Sequence, residues 1–518
     1  MMKRNSELTA SQERCLAIAT DTLLSPKQKA NFLALEAENS IPYLSLSAET
    51  EKALSERVIC DMYEGHAPYK PRYVLPDYAR FLQQGSAYLE LAPAEDFDDA
   101  LNQLTILYHH VPSVTGLPVF LGYLDRLLMP YTEGHSEEQL YQKLKRFWIM
   151  LDRTLPDAFM HANIGPDDNI ICRLILRIDA ELKQVAPNLT FMYHPERTPG
   201  SLFLQVVENI CECSKPHIAN DIVHSAAFDD IGYGVVSCYN SLPIAGGGST
   251  LSRINLREVA LRSECADDFL SRQLPKYCGI QMELIERRTE FLYEDSQFFQ
   301  TSFLVQEGLI KPERFAPMFG IYGMAEAVNI LMEKDGIEAS YEPGSPALAL
   351  AYQISAQLDD YVVSTPVKYG LNHRAMLHAQ SGISSDKETT PGVRLPYGEE
   401  PDPVSHIMAV APHHRYYTSG ISDILTVDET IKQNPLAMLQ LCKGAFSQGM
   451  REFTANVASN DLVRVTGYMV RLSDIQKFKE AGSRINTTWL GDEAAANCNI
   501  LGRQPRVISR EQSMRYDK

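Results

Sequence analysis

The chain has 518 residues, 45 % of them hydrophobic and 22 % charged, and its 66 acidic and 48 basic side chains give a formal charge of −18. This is enough apolar material for a large buried core, no segment is long and uncharged enough to cross a membrane, and the negative field opposes the surface that a nucleic acid backbone requires. The N-terminus, MMKRNSELTASQERC, has basic residues with no apolar run behind them, so no secretory signal is read and the cytoplasm is the expected compartment. Ten cysteines are scattered without a CxxC pair, which predicts reduced thiols rather than a disulfide framework.

In chain order, the first 110 residues read as mainly helical and packed outside the core, with apolar positions at three- and four-residue spacing in SPKQKANFLALEAENS. Helices are predicted over 139–155 and over 169–185, where Ile170, Leu174, Ile178 and Leu182 share one stripe. Short apolar or β-branched runs, LTFMY (189–193), YGVVSCY (233–239) and DYVVST (360–365), read as strands between helices, so the fold class is α/β. The triple glycine 246–248 with Ser249 and Thr250 reads as a flexible loop, because no lysine follows in the spacing of a phosphate-binding loop. Residues 383–406 are polar and proline-bearing, the signature of a surface excursion. A helical stretch around 435–457 precedes a strand LVRV, a turn with Gly467, and a helix opened by a capping box of Ser473 and Gln476.

Two residues carry the chemistry. Arg464-Val465-Thr466-Gly467-Tyr468, followed by Val470-Arg471-Leu472, resembles the radical-bearing loop of the glycyl radical enzymes, the superfamily of pyruvate formate-lyase and anaerobic ribonucleotide reductase. A glycine suits that role because loss of a Cα hydrogen leaves a radical shared between the amide nitrogen and the carbonyl. The bland alternative is a glycine supplying a positive φ at a turn. Cys238, in the stretch 229–261 with its glycine-rich turn and Ile254-Asn255-Leu256, resembles the cysteine loop of the same superfamily, although a free buried cysteine is otherwise a packing residue. Gly122-Tyr123-Leu124-Asp125, Pro187-Asn188-Leu189-Thr190, Asn220-Asp221 and Gly320-Ile321-Tyr322-Gly323 with Glu326 extend the likeness in order along the chain, which is similar over essentially its whole length to the YjjI family.

The resemblance implies a ten-stranded barrel of two antiparallel five-stranded half-barrels surrounded by helices, with a barrel domain over 1–440 and a C-terminal glycyl radical domain over 441–518. It implies a radical stored on Gly467 and a thiyl radical on Cys238 that abstracts hydrogen from a small-molecule substrate under anaerobic conditions, with dioxygen cutting the chain at Gly467. It further implies a separate radical SAM activating enzyme, whose iron–sulfur cluster and S-adenosylmethionine install the radical, no cofactor or metal bound by this chain itself, and a homodimer. Asn188, His194, Tyr239, Asn240 and Glu326 are candidates for substrate orientation or proton transfer, each with a structural hydrogen-bonding alternative. Ser237 replaces the first of the paired cysteines of pyruvate formate-lyase, Asn240 replaces the general-base glutamate of diol dehydratases, and only Cys498 follows Gly467, too few cysteines for the zinc site of anaerobic ribonucleotide reductase. Reductase-like chemistry and a noncatalytic metabolite-binding or interaction protein are the alternatives. His109-His110, His413-His414 and Cys211/Cys213 are not expected to bind metal, since no compact set of ligands accompanies them.

Overall fold

The computed structural model describes residues 8–482, apart from 42–43, 62–68, 115, 156, 380–385, 387–388, 397–398 and 466, together with 488. Thr466 and Cys498 therefore lie outside the described residues, as does most of the chain after 482. The strands are β1 (Ile59–Asp61), β2 (Tyr73–Leu75), β3 (Phe120–Tyr123), β4 (His161–Ile164), β5 (Asn188–Tyr193), β6 (His217–Asn220), β7 (Tyr233–Val236), β8 (Asn240–Pro243), β9 (Gly246–Asn255), β10 (Phe315–Tyr322), β11 (Met376–His378), β12 (Asp423–Val427), β13 (Glu452–Val457), β14 (Leu462–Arg464) and β15 (Met469–Arg471).

The fold is α/β, as expected. One mixed sheet has the order β1-β9-β10-β11, with β2 also on β9, and the other the order β12-β13-β6-β5-β4-β3. In the second, neighbours are parallel except for β13 on β6, the pattern of helix-covered sheets, while in the first β9, β10 and β11 run parallel and β1 and β2 antiparallel to β9; the strands are largely buried. The helices between them are amphipathic for identifiable reasons. Ile170–Leu182 is capped by the Asn169 side chain on the Cys172 amide and buries Ile171, Leu174, Ile175 and Ile178, each contributing about 1.5–3 kcal/mol. The edges of the two sheets meet at a parallel bridge between His378 and Gly420, just ahead of β12. No helix among the described residues is long and apolar enough to cross a membrane.

Several local expectations are corrected. The first 110 residues form helices but also supply β1 and β2, antiparallel to β9, so they enter the sheet rather than only coating it. The run 360–365 is the end of a helix, Pro346–Ser364, started by Ser345 and buried along Leu350, Ile354, Leu358 and Val362; helical packing overrides the β preference of its valines. The triple glycine is the start of β9, not a flexible loop. A Cβ on Gly246 would lie 2.1 Å from the Arg314 carbonyl oxygen and one on Gly247 2.0 Å from that of Tyr73, so these glycines allow backbones to touch. The excursion over 383–406 is partly internal: Asp386 is buried in an ion pair with Arg253, and Val393, Arg394 and Leu395 are buried too. The stretch 435–457 divides into a helix, Pro435–Ser447, and β13. The helix after Gly467, Leu472–Ala481, lacks the capping box, because Asp461 across the hairpin holds both the amide and the hydroxyl of Ser473.

Candidate functional site

Cys238 and Gly467 stand at the tips of two antiparallel hairpins. In the first, Val236 pairs with Asn240, leaving Ser237-Cys238-Tyr239 as a three-residue turn. Ser237 and Tyr239 have φ of 52° and 56°, left-handed values for non-glycine residues on both sides of the cysteine. Such strain costs roughly 1–3 kcal/mol per residue and persists only where the surroundings impose it. They do so here: Asn163 on β4 donates to the Val235 carbonyl at 2.8 Å and accepts from its amide at 2.9 Å, acting as an extra strand, while Ser241 is bonded to the Ser419 carbonyl. In the second hairpin Arg464 pairs with Met469, and Val465 closes on the Tyr468 carbonyl. Asn456 on β13 clamps it as Asn163 clamps the first, accepting from the Arg464 amide at 2.8 Å and donating to its carbonyl at 2.9 Å.

The tips touch. A Cβ built on Gly467 would lie 1.9 Å from Cys238 Cα, 2.4 Å from its Cβ and 2.8 Å from its Sγ. The last figure limits the distance from Sγ to Gly467 Cα to about 4.3 Å, since a carbon–carbon bond adds about 1.5 Å. The approach of Cys238 demands glycine at 467 whatever the turn requires. Cys238 is buried at 4 % exposure, which shields the pair from solvent.

Around the tips the barrel wall is polar at alternate positions: His161 and Asn163 on β4, Asn188 and Thr190 on β5, His217 on β6, and Glu452, Thr454 and Asn456 on β13, all buried. Asn188 donates to the Gly467 carbonyl at 3.1 Å and to the Ala158 carbonyl at 3.2 Å, and accepts from Arg464 at 3.3 Å. Arg464 is fully buried under the Tyr239 ring, 5.0 Å from its centroid, and burial lowers its pKa to about 9 against the opposing charge of Asp179. His161 bonds the Ser237 carbonyl through Nδ1, so Nε2 accepts from the Thr190 hydroxyl at 2.6 Å. Burial, reinforced by Arg464, drops His161 to about 3 and His217 well below the usual range; both rings are neutral at pH 7. Tyr239 stacks on His217 with centroids 3.6 Å apart.

Of the residues singled out from the sequence, Gly467, Cys238, Asn188, Tyr239 and Asn240 are brought together. Asn188 lies on the glycine hairpin rather than free to orient a ligand. Asn240 donates back to Val236 within its own hairpin and leaves Oδ1 without a partner. His194 is taken up by a turn after β5, where its ring accepts from the Glu196 amide. Glu326 starts the helix Met324–Lys334 and bonds Thr390; burial raises its pKa, and no hydrogen bond joins it to either hairpin. Sequence reasoning missed His161, Thr190, His217, Arg464, Glu452 and Thr454. For His161, Thr190, Glu452 and Thr454 the signal was available as period-two polar residues in otherwise apolar strands, HANI, NLTFMY and EFTANV; His217 and Arg464 carry none of that kind. Among the described residues no three His, Cys, Asp or Glu side chains are grouped to share a metal ion.

Removing the Asn188 side chain strips a partner from both Gly467 and Arg464. Asn188→Ala is expected to lower stability by roughly 1–3 kcal/mol, read as a lower urea midpoint at unchanged slope; an unmoved midpoint would show that the clamp contributes nothing.

The model of the family described as glycyl radical enzyme YjjI-like matches residues 24–506. The YjjI protein of Escherichia coli (strain K12) is 66 % identical over 513 residues, 99 % of each chain, and a protein of Haemophilus influenzae (strain ATCC 51907 / DSM 11121 / KW20 / Rd) is 39 % identical over 462 residues, 88 % of this chain and 89 % of its own. Among solved structures, hydroxyproline dehydratase from Clostridioides difficile superposes with a TM-score of 0.66 at 12 % identity, covering 95 % of this chain and 88 % of that one. The B12-independent glycerol dehydratase from Clostridium butyricum gives 0.65 at 12 %, covering 94 % and 89 %, and the anaerobic ribonucleotide reductase from Thermotoga maritima 0.65 at 12 %, covering 83 % and 85 %. At such identities the structural likeness is one of fold.

Proposed function

Because the chain belongs to the YjjI-like glycyl radical enzyme family, we propose that Gly467 stores a radical and that Cys238 relays it to a small-molecule substrate as a thiyl radical, in a cytoplasmic enzyme working without oxygen. The observation that carries this reading is the contact of the two hairpin tips, which leaves room for no side chain at 467. Hydrogen passes from Sγ to the glycyl carbon, the thiyl takes a hydrogen from a substrate carbon, and the thiol returns one at the end, so the cycle needs no external oxidant or reductant. Asn188 and Arg464 hold the glycine tip, while Asn163 and His161 hold the cysteine tip. None of these groups needs to change protonation during the radical relay. The substrate is a small molecule admitted beside the Cys238 turn.

A separate radical SAM enzyme supplies the radical, so Gly467 must leave the barrel for activation and return. We set the moving part more narrowly than 441–518. β13 pairs with both β6 and β12 inside the sheet, whereas β14 and β15 pair only with each other, so the hinge falls after Val457. The docked hairpin is latched by Arg471, which donates to the Lys183 carbonyl at 3.0 Å and the Leu182 carbonyl at 3.2 Å, where the helix Ile170–Leu182 ends. A latch worth about 1 kcal/mol gives Arg471→Ala a roughly fivefold faster initial rate of radical formation at limiting activase; an unchanged or slower rate would remove Arg471 from the opening step.

The test of the function is anaerobic electron paramagnetic resonance after incubation with a radical SAM activase, reductant and S-adenosylmethionine. A doublet is expected, collapsing to a singlet when the protein is made with Cα-deuterated glycine and activated in D2O. No signal from an activase proven on its partner would favour a binding protein that has kept the fold.

A further inference from the structure

The wall beside the cysteine turn holds a group that the relay leaves unused. Glu452 is fully buried at the start of β13, where the Ile421 amide pulls on a carboxyl whose oxygens otherwise have no hydrogen-bond partner. His224 Nε2 lies 3.9 Å from Oε2 and His217 Nδ1 4.0 Å from it. Both histidines touch the Cys238 hairpin, His217 by stacking on Tyr239 and His224 through a 2.9 Å bond between Nδ1 and the Ser241 hydroxyl. Two polar atoms 3.9 Å apart are too distant to bond one another, yet near enough to bond the same third oxygen at about 2.8 Å from each.

Other buried polar atoms nearby also lack partners: His224 Nε2, Thr454 Oγ1 on the same face of β13, Tyr239 Oη and Asn240 Oδ1. Buried polar groups are normally satisfied, and a set of them on walls that meet at one turn marks a place for a polar ligand. From this geometry, and resting on the radical reading above, we infer that Glu452 is the acid–base residue of the site, bonding an oxygen of a neutral, hydroxyl-bearing substrate together with His224, while His217, held by Thr190 and Ser422, walls the site.

Charge supports the substrate class. Burial holds the Glu452 carboxyl well above its usual range against the pull of Arg451 and the Ile421 amide, and keeps His217 and His224 neutral. Each neighbouring cation makes a bond away from Glu452. Arg451, on the other face of the strand, donates to the His414 carbonyl, Arg464 to Asn188, and Arg394 to the Ser422 carbonyl. A protonated carboxyl between two neutral imidazoles offers one proton and several lone pairs with no fixed charge, which suits a hydroxyl and does not suit a carboxylate or phosphate. In the cycle the carboxyl gives its proton to a substrate oxygen and recovers one from the same molecule or from water, so charge balances.

The test uses the full-length protein, with ethane-1,2-diol and glycerol as neutral probes and glycerate as the charged counterpart. The infrared spectrum at pH 7 should contain the carbonyl stretch of a protonated carboxyl that is absent from Glu452→Gln. This band should shift with either polyol and not with glycerate, and Glu452→Ala should weaken glycerol binding roughly ten- to hundredfold. Absence of the band, failure of both polyols to bind, or an equal shift with glycerate would overturn the inference. Electron paramagnetic resonance separates it from the radical reading: a doublet in activated wild type with an unmoved band refutes only the role of Glu452, whereas a moving band in a protein that takes no radical refutes the radical reading.

Discussion

Cys238→Ser protein is expected to accept the glycyl radical at the wild-type yield and to lose every later step. Gly467 keeps its neighbours in this variant, since Asn188 and Arg464 are untouched and serine is no larger than cysteine. The hydroxyl O–H bond is far stronger than the thiol S–H bond, so the glycyl radical cannot draw hydrogen from the substituted side chain. Each 1.36 kcal/mol added to a barrier costs tenfold in rate, and the relay falls to background. The effect is measurable before a substrate is known. On the proposed relay, hydrogen in wild type would move between Sγ and a Gly467 carbon within about 4.3 Å and the thiol would exchange with solvent, so the doublet should become a singlet in D2O. In Cys238→Ser the doublet should persist. If both proteins exchange alike, Cys238 is not the relay.

Gly467→Ala should be among the most damaging single methyl groups in the chain. The added carbon would meet Cys238 Cα at 1.9 Å, and a backbone atom cannot rotate away. Cys238 is itself fixed by two strained residues and the Asn163 clamp, so the glycine hairpin must give. Overpacking of this kind costs typically 1–3 kcal/mol and more where both partners are rigid. Docking is expected to fail, with Leu462 and Met469 leaving their contacts with Val185 and Cys213 and proteolysis appearing within 458–482. No radical should form, because alanine is not the activase's target. Cys238→Ala should not rescue the docking, since the closest clash is with Cα. A proteolytic pattern identical to wild type would mean that the tips do not approach as described.

The sequence by itself determined the family, and with it the two residues proposed to carry the chemistry. A radical glycine and a relay cysteine are recognisable from their own neighbours, because each requirement is local: a Cα without a side chain in one short loop, a thiol at the turn of another. It also determined the α/β class, through alternating apolar runs, and the helix read over 169–185, through its stripe, which folds as Ile170–Leu182. Where local preference and packing disagreed, packing won. The valines near 362 follow their helix, and the glycines of 246–248 became the strand that lies against Tyr73 and Arg314.

What only the tertiary structure decided is which polar residues face the two tips. His161, Asn188, His217 and Glu452 are up to 291 positions apart in the chain and meet because β4, β5, β6 and β13 are neighbours in one sheet with these positions on its inward face. Asn188 thereby became a clamp on Gly467 instead of a ligand for substrate, His194 was spent on a turn, and Glu326 was left on the other sheet's helix with Thr390. Alternation along a strand can show that a polar residue shares its face with one two places away, but strand order and register determine what it faces, and those are set by the burial of both sheets at once.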